Sequence, residues 1–117
     1  MARRIVIVDD HPSFRAAARM LLEDEGYDVV GEAGDGHTAL DAVRELTPDV
    51  VLLDINLPDI DGLEVARRLT SARVPGAIVL VSSREQSDFG ELIGQCGARG
   101  FISKGELSGS SLEALLA

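Results

Sequence analysis

With 117 residues the chain has room for one hydrophobic core and not for two ordinary domains. Its apolar fraction of 45%, with three Phe, one Tyr and no Trp, is mostly aliphatic, a composition that suits strands covered by helices and argues for an α/β fold. A formal net charge of -9 argues against binding to nucleic acid or an anionic membrane, no apolar run nears the about 20 residues of a membrane span, and a single cysteine with an N-terminus unlike a secretory signal leads us to expect a reducing cytoplasm.

Ile5 to Val8 is a continuous β-branched run, as expected of a strand buried on both faces of a parallel sheet. Asp9 and Asp10 follow at once. Phe14, Ala17, Ala18, Leu21 and Leu22 then recur at helical spacing, between Pro12 in a first helical turn and Gly26 at a C-terminal cap. Asp28 to Val30 reads as a short second strand, and Ala39, Ala42, Val43 and Leu46 form the inner stripe of a helix that ends near Pro48.

Val50 to Leu53 is the third and most apolar strand, and it runs straight into Asp54. Beyond Pro58, Asp61 and Glu64 have the spacing of a reciprocal helix cap, so a third helix begins near Gly62. Ala77 to Val81 supplies strand four, Phe89 to Cys96 a fourth helix and Gly100 to Ile102 strand five. Leu112 to Leu116 gives a fifth helix, preceded by a cap signature at Ser110 and Glu113. Five β-α units predict an open, doubly wound parallel sheet with helices on both faces.

Open parallel sheets bind ligands beyond the carboxyl ends of their strands, where the strand order reverses. Those ends carry Asp9 and Asp10, Asp54, Ser82 and Ser83, and Lys104. In the flavodoxin-like order 2-1-3-4-5, strands one and three are neighbours and three carboxylates converge. Such a group must share protons, pair with a base or bind a metal. Lys104 offsets part of the charge, and Mg²⁺ fits the remainder because it takes one or two carboxylates and leaves positions for phosphate oxygens. Taken singly, each residue has an ordinary role: a turn or cap for Asp9 and Asp10, a strand-end cap for Asp54, a turn serine for Ser82, a surface lysine for Lys104. Their joint placement carries the signal.

Across essentially its whole length the chain resembles the receiver domains of two-component response regulators. The matching pieces are Val8-Asp9-Asp10-His11-Pro12, Pro48 through Asp54, Leu57-Pro58-Asp59-Ile60-Asp61-Gly62, Ser82, and Gly100-Phe101-Ile102-Ser103-Lys104. His11-Pro12 with Phe14-Arg15, and Val29 through Ala33, are most similar to the subfamily with a C-terminal helix-turn-helix output domain of the LuxR/NarL type.

The resemblance implies that residues 1–117 are one receiver domain and that Asp54 is the phosphoacceptor, taking its group from a sensor histidine kinase. It implies Mg²⁺ held by Asp10, Asp54 and the backbone carbonyl of Asn56, with Asp9 acting mainly through water, and Lys104 neutralising the phosphoryl oxygens. Ser82 would bond a phosphoryl oxygen, and Phe101 would turn inward in the active state; a plain core aromatic is the other reading of Phe101. Asn56, Ser83 and Arg84 lie where residues modulate water access, and Arg84 is expected to alter the lifetime of the aspartyl phosphate. Switching would change the surface of helix four, strand five and helix five, with homodimerisation on phosphorylation as a further expectation. Because Gly90 and Gly94 each cost about 1 kcal/mol in a helix interior, helix four is expected to be short or mobile and to be ordered by phosphorylation. Cys96 is expected to pack inward.

The role expected is regulatory, not that of a turnover enzyme. A small Mg²⁺-dependent aspartyl phosphatase is one alternative, but such enzymes carry a second Asp two residues after the first, where this chain has Asn56. A pseudo-receiver would lack the anchors present here, and a flavin site would need a Ser/Thr/Gly loop after strand one. The chain is expected to be a receiver excised from a longer transcription factor, DNA being bound only through an output domain outside it, with a stand-alone receiver acting through protein contacts as the runner-up.

Overall fold

The computed structural model describes residues 2–83 and 89–116. In chain order the described elements are β1 (Arg4–Val8), α1 (Pro12–Asp24), β2 (Asp28–Ala33), α2 (Gly36–Leu46), β3 (Val50–Asp54), α3 (Gly62–Ser71), β4 (Ala77–Ser82), α4 (Leu92–Gln95), β5 (Gly100–Ser103) and α5 (Gly109–Leu116), with a 3₁₀ turn at Lys104–Glu106. All strands are parallel, in the order β2-β1-β3-β4-β5, which is the expected doubly wound sheet.

Period-2 alternation divides the sheet between two cores. Val6, Val8, Val51, Leu53, Ile78 and Leu80 face α2, α3 and α4, whereas Ile5, Ile7, Val50, Leu52, Val79 and Val81 face α1 and α5. Because β1 and β3 are buried on both faces, their sequences are apolar throughout rather than alternating with polar residues. Val8 pairs with Leu53, Asp54 with Val81, and Ser82 with Ser103, so four strands end side by side on one rim.

Three local expectations are refined. Strand β2 continues to Ala33, beyond Val30, because its register on β1 skips Val30 at a bulge and then resumes. Helix α5 begins at Gly109, and its cap is not the Ser110 and Glu113 pair: Ser108 and Ser111 each accept the other's backbone N–H. Glu113 instead accepts the Tyr27 hydroxyl at 2.6 Å. At α3 half of the expected box forms. Asp61 accepts from the Glu64 N–H at 2.8 Å, while the Glu64 carboxylate pairs with Arg67 and Arg68.

Helix α4 is a four-residue turn in place of the eight residues expected from Phe89 to Cys96, so the expectation of a short helix holds. Gly90 sits at φ 54, outside the right-handed helical region, and so the helix cannot extend back to Phe89. Ile93 and Cys96 still pack inward. A Cβ on Gly94 would meet nothing within 4 Å, so Gly94→Ala is expected to stabilise the protein by about 0.5–1 kcal/mol. Urea unfolding checks this; an unchanged or lower midpoint would show that helical propensity does not limit α4.

Candidate functional site

Asp54 ends β3 between two neighbouring strands and is 1% exposed, and Asp9, one residue past β1, is fully buried. Two carboxylates thus sit at the mouth of the sheet with little water to solvate them. Burial pushes the Asp54 carboxyl up to about 6; the Asn56 N–H opposes this, the Asp9 charge adds to it, and Lys104 opposes it. The Asn56 N–H donates to Asp54 Oδ1 at 3.1 Å.

Lys104, delivered by the turn after β5, places its ammonium 2.6 Å from Asp9 Oδ2 and 3.5 Å from Asp54 Oδ2. The closer approach is an ion pair with buried Asp9, and the same ammonium donates a long hydrogen bond to Asp54 Oδ2. The other Asp9 oxygen accepts from the His11 N–H at 2.8 Å. His11 Nδ1 lies 3.0 Å from both Asp9 Oδ1 and Asp10 Oδ1. Arg15 donates to the Asp9 carbonyl and to Glu32, which fixes the first turn of α1 against β2.

Ligand atoms of Asp9, Asp10, His11 and Asp54 all lie within 4.8 Å of one another. One lysine cannot balance three carboxylates, so the donor set fits an oxygen-seeking divalent cation. Asp10, partly open to water, supplies the exposed side of such a site.

Ser82 is fully buried at the end of β4 and accepts from Asn56 Nδ2 at 3.2 Å, so these two expected site residues meet. Ser83 is exposed. Phe101 is partly buried on β5, its ring 5.9 Å from that of Phe89, within the core that packs against α4. Arg84 lies outside the described residues.

Two features went unanticipated. His11 was read only as part of a family motif, yet its ring bridges the acidic pair. Asp59, in the loop after β3, accepts from the N–H groups of Gly36 at 2.7 Å and His37 at 2.9 Å, with His37 Nδ1 2.6 Å from its Oδ2. A carboxylate on the first turn of α2 pins the loop that carries Asn56. Desolvation alone would raise the Asp59 carboxyl, but the N–H groups of Gly36, His37 and Ile60 and the His37 ring hold it well below the usual range.

Its stabilising effect is therefore complete above the unfolded value of about 3.9 and fades as pH falls through the lower folded value. Asp59→Ala is expected to lower the urea midpoint near pH 7 and to match wild type in strong acid. Equal midpoints near pH 7 would show that the contact is idle.

Residues 5–116 match the family described as Response regulator receiver domain. The response regulator GacA of Pseudomonas aeruginosa is 41% identical over 103 residues, covering 87% of this chain and 48% of that protein. The DNA-binding transcriptional activator EvgA of Escherichia coli is 35% identical over 101 residues, covering 86% of this chain and 50% of that protein. The chain thus spans about half the length of these curated relatives. Among solved structures, a LuxR-family two-component response regulator from Aurantimonas superposes with a TM-score of 0.90 at 35% identity, covering 99% of this chain and 86% of that one. A CheY-like receiver domain protein from Methanospirillum hungatei superposes with a TM-score of 0.86 at 26% identity, covering 99% and 92%. With the strand order, the rim of acidic residues and these matches in agreement, the chain belongs to the response regulator receiver domain family and is similar to the receiver halves of LuxR/NarL-type transcriptional regulators.

Proposed function

We propose that the chain is a phosphorylatable switch in which Asp54 accepts a phosphoryl group from a phosphohistidine on a sensor kinase. The observation that carries this reading is a buried strand-end carboxylate, Asp54, facing Lys104 and a second acidic pair across one rim. An Asp54 oxygen forms the bond to phosphorus as the phosphorus–nitrogen bond of the phosphohistidine breaks, and the imidazole keeps the bonding pair. With its carboxyl near 6, Asp54 is mostly ionised at neutral pH and able to attack.

Asp10, Asp54 and the Asn56 carbonyl would hold Mg²⁺, with Asp9 acting through water, and the ion would supply positive charge to offset the phosphoryl oxygens. Lys104 is the protein's own cation at the same place. Ser82, at the end of β4, is positioned to donate to a phosphoryl oxygen and so draw its loop inward, with Phe101 following on β5. Asn56, Ser83 and Arg84 set water access and therefore the lifetime of the acyl phosphate. The readout surface is α4, β5 and α5, acting on a DNA-binding output domain, a reading supported by the likeness to the DNA-binding transcriptional activator EvgA, or, in the second reading, on protein partners directly.

The role is that of a regulatory phosphoacceptor in the cytoplasm, where buried Cys96 stays a thiol. Among the described residues, no helix is long and apolar enough to cross a membrane. Phosphorylation is proposed to order α4 and to favour homodimers.

Incubation with acetyl phosphate and Mg²⁺, read by intact mass, tests the reading. Wild type is expected to gain one phosphate-sized increment that chelator abolishes and that Asp54→Asn lacks. No increment in wild type, or an equal one in Asp54→Asn, would overturn it.

A further inference from the structure

Lys104 is the only lysine in the sequence, and the ten other basic residues are arginines. Among the described residues its ammonium neighbours Asp9 Oδ2 at 2.6 Å, Asp54 Oδ2 at 3.5 Å, and the ring of Phe14, whose centroid lies 4.5 Å away. The two carboxylates are an obvious electrostatic pairing. The ring is not, because a partly buried phenylalanine on the first turn of α1 has no need to present its face to a cation.

Phe14 comes from the start of α1, which follows β1, the strand beside the one that carries Asp54. It stands three residues after His11 in the turn opened by Pro12, and its ring is anchored among the partly buried side chains that pack on the α1 and α5 core. A cation over an aromatic face is attracted by the ring quadrupole when it lies within about 6 Å of the centroid, and the attraction grows where water is scarce. The Lys104 side chain is only 17% exposed.

We propose that Phe14 is a positioning residue for phosphoryl transfer: its ring parks the Lys104 ammonium on the Asp9 side of the cleft. The ammonium lies 2.6 Å from Asp9 Oδ2 and 3.5 Å from Asp54 Oδ2, with the Phe14 ring completing its surroundings among the described residues. Held by the ring, Lys104 keeps only a long hydrogen bond to Asp54 Oδ2, at 3.5 Å, where it offsets incoming negative charge without closing to a tight ion pair. A side chain of similar bulk without a quadrupole fills the space but does not hold the cation, and Lys104 then closes on Asp54.

The consequence for rate rests on the proposed function; the contact itself does not. Because Lys104 is the only lysine, ¹³C-labelled lysine gives one ε-methylene signal in the chain. That signal is expected to be shifted upfield by the ring in wild type and in Phe14→Tyr, and to return to the free-lysine position in Phe14→Leu and Phe14→Met. Labelling of Asp54 by acetyl phosphate with Mg²⁺ is expected to slow about five-fold in Phe14→Leu and Phe14→Met, the scale of one partly desolvated cation–π contact, and to stay near wild type in Phe14→Tyr. An unshifted wild-type signal overturns the proposal, as does equal slowing in Phe14→Tyr and Phe14→Leu. If wild type takes up no phosphoryl group, the phosphoacceptor reading fails, and the lysine signal alone decides whether Phe14 holds Lys104.

Discussion

Gly62→Ala is expected to destabilise the domain by about 2–4 kcal/mol, more than any other single-methyl change at the rim. A Cβ at this position would lie 2.2 Å from the Asp54 carbonyl oxygen, 2.8 Å from Ile55 Cα and 2.9 Å from the Asp54 carbonyl carbon. All three are backbone atoms, so no side-chain rotation relieves the overlap. The Gly62 N–H also donates to the Ile55 carbonyl at 2.8 Å, which locks the start of α3 against the end of β3. Relief therefore requires the two elements to separate, and Asp54 moves with β3. Urea unfolding and the labelling rate should fall together, whereas Gly94→Ala, with open space around it, should do neither. A midpoint for Gly62→Ala within experimental error of wild type would show that the close approach between α3 and β3 is not tight in solution.

Asp54→Asn is expected to stabilise chelator-treated protein by about 1–3 kcal/mol near pH 7 while removing the acceptor. In the folded state the Asp54 carboxyl is pushed up to about 6, mainly by burial. In the unfolded chain it titrates near about 3.9. Between these values the folded state binds the extra proton, so wild-type stability falls as pH rises through that window and then levels off. The amide carries no charge to desolvate and keeps an oxygen for the Asn56 N–H. Its advantage should therefore be small near pH 4, grow to about pH 6 and stay constant above. A variant less stable than wild type at neutral pH, or a difference that does not change with pH, would contradict the account.

These two residues illustrate how unevenly structure and chemistry are written into the chain. The apolar runs Ile5 to Val8 and Val50 to Leu53 made β1 and β3 legible, because a strand covered on both faces has no polar positions to confuse its period. From their adjacency followed the rim that gathers Asp9, Asp10, Asp54, Ser82 and Lys104. Boundaries were less legible where they depend on tertiary contacts. Strand β2 runs past Val30 because β1 supplies a partner for Gly31 through Ala33, and α5 starts at Gly109 because Ser108 and Ser111 bond each other.

Within the site, the residues that carry charge were visible and those that place the charge were not. Asp59 looked like one residue of a loop motif, yet it caps α2 from 23 residues away along the chain. Phe14 looked like one position in a helical stripe, yet its face meets Lys104. Helical spacing reports which side of α1 is buried, not what the ring at its first turn touches. Only the short α4 gave a usable local signal in advance, since Gly90 and Gly94 announce a weak helix without reference to any neighbour.

The central claim is that the acyl phosphate forms on Asp54 and on no other carboxylate of the rim, and chemical trapping tests it most directly. Borohydride reduces an aspartyl phosphate to homoserine, and tryptic cleavage after Arg44 and Arg67 isolates a peptide that contains Asp54 but neither Asp9 nor Asp10. After phosphorylation with Mg²⁺ and reduction, homoserine is predicted at position 54, with Asp9 and Asp10 recovered unchanged. Homoserine at position 9 or 10, or a phosphorylated protein that yields no homoserine, would contradict it.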